Sequence, residues 1–548
     1  MLNVVFRGAM AAYVAKYWMP VARCAERPER AQEHALRAIL TANRTSEFGV
    51  EHRFADARTP ERFRHQVPVQ DYETLRGHIE RQRSSGAAAL TAEPPLFYAQ
   101  TSGSTGKPKY IPVCASALRI YRAEQALFTY LQYRACPGAF LGKALGIMGA
   151  AVEGRLDSGH YVGSVSGYLY ESLPSVVQSR FVLPPKLSMI GDYDLKYVVI
   201  LRLALATPDI SYLGSPNPST FLRLLEILND RRDALAHSLE TGSLPELDAL
   251  DADTREIVMR RLRPDRARAS HLGGTAPLTF ASLWPGIRLL TTWTGGSCGI
   301  ALDKLRTMLP RGTRVMELGY QSTECRGTVA LEAETQGGLP LLQHHFFEFV
   351  QQDHWDSDRP EFLGLGEIVP GMRYYILVTT AAGLYRYFMN DLVEVTGRYR
   401  NTPLLRFVQK GKGVTSLTGE KLYEAQVIQA VQETARRHGF TPGFFLLVAE
   451  EERPSYNLFL ELDHTVRPLV THVAAEVDHR LGELNVEYYS KRASGRLAPL
   501  TIALLRQGAG EAYKTACIRA GQREGQFKPA VLQYRRELML SFEPYVIG

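Results

Sequence analysis

The chain has 548 residues, 45% of them hydrophobic and 22% charged, and Lys+Arg 64 against Asp+Glu 57 gives a formal charge of +7. Those proportions exclude a disordered chain, a collagen and a membrane bundle, and the length supplies core for about two to four domains. The positive excess is too dilute over this length to mark nucleic-acid binding.

The N-terminal stretch 2–22 is apolar, but Arg7 and Lys16 interrupt it short of the ~20 residues that span a bilayer, so it reads as a packed helix. A second helix is expected over 29–43, and Pro68-Val-Gln-Asp-Tyr72 reads as a turn into another. Strand candidates follow at 145–149, 287–293, 314–320 and 374–380, with helical patterns at 219–230 and 299–309. Such alternation argues α/β, with helix-covered sheets in a large N-terminal domain over 1–407. Beyond the turn-rich 400–403, a strand at 404–408, a helix at 421–438, a hairpin of strands at 444–450 and 456–462, a helix at 467–484 and a strand at 500–505 spell β-α-β-β-α-β. That order predicts a smaller C-terminal α+β domain over 408–548.

Six cysteines are scattered without a C-x-x-C pair, which argues against structural zinc and for a reducing, cytoplasmic setting. Only 13 of the 64 basic residues are lysine. A coding bias explains the surplus arginine, so each lysine kept is a place to look for chemistry that arginine cannot do.

The densest local signal is Tyr98-Ala-Gln-Thr-Ser-Gly-Ser-Thr-Gly-Lys-Pro-Lys109. Thr101, Ser102, Ser104 and Thr105 bring hydroxyls, Gly103 and Gly106 flexibility, and Lys107 and Lys109 charge, so the loop can surround a polyanion. It is not a Walker A loop, because the glycines are too close and Pro108 stands where Ser or Thr belongs. A second segment, Glu317-Leu-Gly-Tyr-Gln-Ser-Thr-Glu324, offers the aromatic face of Tyr320, the hydroxyls of Ser322 and Thr323, and the Glu324 carboxylate, a hard ligand of the kind Mg²⁺ prefers. Read alone, it could equally be a strand end that carries an acidic residue.

The loop resembles the phosphate loop of adenylate-forming enzymes. Its flanks resemble the acyl acid amido synthetases of the Gretchen Hagen family, read here as a bacterial member. The carrying residues are Thr45-Ser-Glu-Phe-Gly49, 63–72, Lys109-Tyr-Ile-Pro-Val113, Gly163-Ser-Val-Ser-Gly167, Leu283-Trp-Pro-Gly286 and Thr292-Trp-Thr-Gly-Gly-Ser297. The resemblance runs from about 45 to 530 and implies the adenylate-forming fold. It implies that Thr101, Ser102, Gly103, Ser104 and Thr105 bind ATP together with Gly296, Ser297, Gln321, Ser322 and Thr323. It further implies that Tyr320 stacks on adenine, Glu324 holds Mg²⁺, Asp391 binds ribose, and Ser166, Tyr168 and Trp293 line an acyl pocket. Lys109 and Lys528 are the implied catalytic cations, Lys528 in Gly525-Gln-Phe-Lys-Pro529.

Two positions depart from the family pattern. Asn390 stands where its Tyr-Arg-x-x-x-Gly-Asp motif has Gly, and asparagine is the residue that best tolerates positive φ in glycine's place. Lys410 stands where its hinge has Arg, and lysine cannot make a bidentate fork. Thr418-Gly-Glu-Lys-Leu-Tyr-Glu424 resembles the hinge-proximal segment, or else Thr418 caps a helix with Lys421 in solvent.

The activity implied is adenylation of a carboxylic acid by MgATP, then transfer to an amine, an amino acid, as an amide. The partners are small molecules only, with no nucleic acid and no membrane, and the protein is a monomer or homodimer. The rivals are an acyl-CoA ligase and a non-catalytic nucleotide-binding protein. His344 and His345, read as neighbours on a strand, point to opposite faces, which argues against a shared ligand role. Ser166 lies one place too late for a nucleophile elbow.

Overall fold

The computed structural model describes residues 8, 10–101, 109–295, 298–355, 357, 359–411, 413–462, 470–519 and 531–547. The chain forms two compact units, Met1–Gln100 with Tyr110–Gln409, and Thr101–Lys109 with Lys410–Gly548.

In the larger unit the helix Pro28–Ala42 starts with proline in its first turn and buries Ala35, Leu36, Ile39 and Leu40 along one face. Gln32 in the same helix donates to the carbonyls of Leu342 (3.1 Å) and His345 (2.7 Å). These bonds tie the helix to an antiparallel sheet ordered Phe346–Gln351, Arg373–Thr379, Tyr387–Tyr399, Thr402–Lys410. The Pro68–Tyr72 turn leads into a helix as expected. Asp71 and Thr74 form a capping box on Tyr72–Ser85, which ends at the left-handed Gly86.

A second sheet is wholly parallel, in the order Lys143–Gly146, Ile210–Gly214, Leu289–Thr292, Arg314–Glu317. The run 145–149 thus begins earlier and stops at Gly146, and 314–320 stops at Glu317. The helix Ser219–Asp230 falls where its pattern put it. Strands buried on both faces and covered by helices such as Tyr193–Leu205 make this the apolar heart of the unit. A third sheet holds Lys109–Cys114, Pro95–Thr101 and Tyr161–Gly163 side by side.

The smaller unit has a sheet ordered Thr501–Leu505, Ser455–Leu462, Pro442–Glu450, Leu532–Tyr534. Its middle pair is the expected antiparallel hairpin, flanked by parallel partners. Two expectations are corrected here. The strand at 404–408 is part of Thr402–Lys410 and pairs in the antiparallel sheet of the larger unit, and the short strand Leu532–Tyr534 takes the place reserved for it. The helix read over 421–438 begins only at Glu424, because Leu422–Tyr423 is a strand. Thr418 therefore does not cap it. Its N–H and hydroxyl both donate to the buried Glu420 at 2.8 Å, which also accepts from Leu417 N–H and from the Tyr456 hydroxyl.

No helix among the described residues is long and apolar enough to cross a membrane. None of the six cysteines is in a disulfide.

Candidate active site

Thr292 and Glu317 are paired at the ends of adjacent parallel strands. The loops that follow therefore leave the same edge of the sheet together. The carboxyl edge of an open parallel sheet is where ligands bind in α/β folds.

The loop after Glu317 makes a tight turn. Gly319 has φ +89, and a Cβ there would meet the Thr328 carbonyl at 2.4 Å, so only glycine fits. The next residue is fixed by a bond from Tyr320 N–H to the Thr328 hydroxyl (2.8 Å). Tyr320 is buried, its ring near-parallel to Phe407 (13°) at 6.3 Å between centroids. Its hydroxyl donates to Asp391 Oδ2 at 2.7 Å. Burial, reinforced by the Asp391 charge, pushes the Tyr320 phenol well above its ordinary range, so it stays a donor.

Asp391 is aimed by a bulge. Tyr375 pairs with Leu392 but Leu377 pairs with Phe388, so three residues oppose one, and Asn390 within them has φ 50. The residue that replaces the family's glycine thus adopts the left-handed conformation, which asparagine tolerates.

Past Tyr320 the chain is held locally. Gln321 bridges to Arg326, and Ser322 N–H donates to Cys325 O (2.9 Å) while the Ser322 hydroxyl accepts from Glu324 N–H (3.2 Å). The turn is backed by the helix Ala115–Ala135, whose Tyr121 hydroxyl donates to Thr323 O at 3.4 Å and whose Gln125 accepts from Arg326 at 3.1 Å. Glu324 is buried in this turn.

Other expected residues lie elsewhere or outside the described residues. Ser102, Gly103, Ser104, Thr105, Gly296, Ser297 and Lys528 are outside them, as are Lys107 and Lys412. Thr101 and Lys410 end their strands. Lys109 opens the next strand, its ammonium 5.6 Å from the centroid of the Tyr423 ring. Trp293 N–H donates to Pro216 O (2.9 Å) just past the strand Leu289–Thr292. Ser166 and Tyr168 lie on the short helix Val165–Glu171, with Tyr168 stacked on Phe97 at 4.8 Å.

Three features were missed by sequence reasoning. Glu317 Oε2 accepts from Thr294 N–H (2.6 Å) and from the Thr294 hydroxyl, and its Oε1 accepts from Gly319 N–H (3.2 Å). Arg386, in the Tyr-Arg motif, is buried in the scaffold. It pairs with buried Glu348 (3.1 Å) and donates to Val67 O (2.9 Å), while Arg64 bonds the same carboxylate (3.0 Å). No local motif marks either arrangement, since each joins segments far apart in sequence. Finally, His344 and His345 do not diverge. They precede the strand Phe346–Gln351 in a turn, and both reach Glu124 Oε1 at 3.0 Å. The period-2 argument fails because the backbone is not extended there. No group of three or more His, Cys, Asp or Glu residues among those described could hold a metal by itself.

A large mixed α/β unit with loops leaving the carboxyl edge of a parallel sheet, followed by a small α+β unit, defines an adenylate-forming enzyme fold. Profiles of the GH3 family N-terminal, central and C-terminal domains match residues 21–313, 338–410 and 425–537. The chain belongs to the GH3 family. It is 26% identical over 425 residues to the indole-3-acetic acid-amido synthetase GH3.15 of Arabidopsis thaliana, covering 73% of this chain and 71% of that one. It is 25% identical over 528 residues to indole-3-acetic acid-amido synthetase GH3.8 of Oryza sativa subsp. indica, covering 91% and 87%. The AtGH3.15 acyl acid amido synthetase in complex with 2,4-DB shares the fold, with TM-score 0.67, 22% identity, and 97% and 96% of the two chains covered. These plant relatives give the expected bacterial origin no support.

Proposed function

We propose that the protein is an ATP-dependent ligase that adenylates a small carboxylic acid and passes the acyl group to an amine, an amino acid, as an amide. The observation that carries this reading is the Tyr320–Asp391 pair, a phenol hydroxyl and a carboxylate joined at 2.7 Å beside the loop that leaves the parallel sheet of a GH3-family chain. An aromatic face suits a purine, and a carboxylate suits a ribose diol.

In the first half-reaction an oxygen of the substrate carboxylate attacks the α-phosphorus of ATP and pyrophosphate leaves. In the second the amine attacks the acyl carbon, AMP leaves with the bonding electrons, and a proton is released. Neither step needs a covalent enzyme nucleophile, so the protein's part is orientation and charge stabilisation. The reading gives Thr101–Thr105, Gly296, Ser297 and Gln321–Thr323 to the phosphates and the sugar edge. Lys109, Lys410 and Lys528 supply positive charge. Mg²⁺ is usually held by one or two carboxylates plus substrate phosphates, so a single carboxylate, Glu324, fits it without a protein cage. When bound, it would neutralise charge on the phosphates. Residues 408–548 would turn relative to 1–407 between the half-reactions, and Ser166, Tyr168 and Trp293 would face the acyl group. The same reading has the protein act in the cytoplasm as a monomer or homodimer on small molecules alone, without membrane or nucleic acid.

ATP–pyrophosphate exchange across a panel of carboxylic acids tests the first half-reaction, and exchange with none of them would sink it. Offering amino acids against coenzyme A to the active acid then decides between amide and thioester.

A further inference from the structure

The carboxylate of Glu317 stands between two loops to which the proposed reaction gives the nucleotide. One leaves the strand Leu289–Thr292 through Thr294 and Gly295. The other carries Tyr320. Glu317 holds the first by two donors of Thr294, N–H at 2.6 Å and hydroxyl, and the second by Gly319 N–H at 3.2 Å. The far side of the same ring of contacts is closed by Phe407. Its carbonyl approaches Gly295 so closely that a Cβ there would sit 3.1 Å from it, and its ring lies near-parallel to Tyr320. Glu317, Thr294, Gly295, Phe407 and Tyr320 therefore form a closed circuit around the sheet edge.

We propose that Glu317 is a positioning residue for the nucleotide, a clip that fixes the separation of the Thr294–Gly295 and Gly319–Tyr320 segments. The proposal rests on the ligase reading for what the cleft binds. A negative charge beside a polyphosphate is electrostatically unfavourable in itself. A side chain kept only to satisfy one loop N–H could be neutral. Glutamate at a strand end is long enough to accept three donors from two separate segments at once, and charged acceptors make the stronger hydrogen bonds. Burial raises its carboxyl above the ordinary range despite those donors.

The test uses the full-length protein with AMP as the calorimetric probe, and ATP–pyrophosphate exchange for KM and kcat. Glu317→Gln and Thr294→Val are each expected to weaken AMP binding and raise the KM for ATP about tenfold, the size of one lost charged hydrogen bond. The value of kcat should stay within about threefold, since no reacting atom is touched. The double variant should bind AMP no more weakly than the weaker single, because both changes open one clip. Thr294→Ser, which keeps the hydroxyl, should restore affinity. AMP affinity within about twofold of the parent in Glu317→Gln, or a double variant showing the product of the two single losses, overturns the proposal. If Glu317→Gln does not fold, the contrast of Thr294→Val with Thr294→Ser carries the test, and equal affinity in those two overturns it. If the parent binds AMP but exchanges with no acid, the ligase reading falls and the AMP series still decides Glu317. A parent that binds neither AMP nor ATP defeats both.

Discussion

Tyr320 donates its hydroxyl proton to Asp391 Oδ2 across 2.7 Å, and both residues are buried. The residue read as the adenine platform is therefore also a fixed partner of the residue read as the ribose acceptor. The bond holds the ring at one angle and the carboxylate in one rotamer. Tyr320→Phe keeps the ring and deletes the bond. A hydrogen bond to a charged group is worth about 1.5–3 kcal/mol, so AMP should bind at least tenfold more weakly while the fold survives. Calorimetric titration with AMP checks this, and an unchanged Kd would show that the pair does not orient the nucleotide.

Asn390 gives a prediction of opposite sense. Its φ of 50 sits in the bulge that aims Asp391. Asn390→Gly should leave stability and ATP KM close to the parent, because glycine reaches that conformation freely. Asn390→Ala should cost about 1–2 kcal/mol for the left-handed backbone and raise the KM for ATP. Thermal unfolding with exchange kinetics compares the three chains. Equal behaviour of the Gly and Ala variants would contradict it.

The left-handed backbone at Asn390 was legible, because asparagine stands where the resembled motif has glycine, whereas the Tyr320–Asp391 bond joins residues 71 apart and was not. The helix Ser219–Asp230 and the hairpin Pro442–Glu450 with Ser455–Leu462 were legible from periodicity. What periodicity does not carry is partnership. Thr402–Lys410 reads as a strand whichever sheet receives it, so its place beside Tyr387–Tyr399 could not be told from the run itself. Leu532–Tyr534 is too short to show a period. Glu317 is 23 residues from Thr294, and the bond between them depends on two strands lying in parallel register, which no local window displays. For His344 and His345 only the period-2 premise fails, because the chain turns there and both rings reach Glu124 Oε1.

The pair of Glu348 and Arg386 should matter for the scaffold rather than the chemistry. Both are buried, and Arg386 carries a second anchor through Val67 O at 2.9 Å, which docks the 67–72 turn on the antiparallel sheet. Removing one member strands the other's charge, which typically costs about 3–5 kcal/mol. Glu348→Gln should lower the unfolding midpoint strongly while the KM for ATP of the folded fraction is unchanged. A raised KM with an unmoved midpoint would place the pair in the active site instead.

Glu124 makes stability pH-dependent in the acid range. Burial alone would raise its carboxyl, but the charge of His345 and hydrogen bonds from His344 and His345 outweigh it and hold the value down to about 2. An unfolded glutamate titrates near about 4.3. A lowered folded value means the stabilisation is fully present above about 4.3 and is lost as the pH falls from there toward 2, on the order of 3 kcal/mol in all. Urea unfolding of the parent and of Glu124→Gln should therefore differ most at pH 6 and converge only as the pH falls from about 4.3 to about 2, because protonating the folded glutamate makes the parent resemble its amide variant. A difference that stays constant over that interval would mean that the carboxylate is not held ionised by the two histidines.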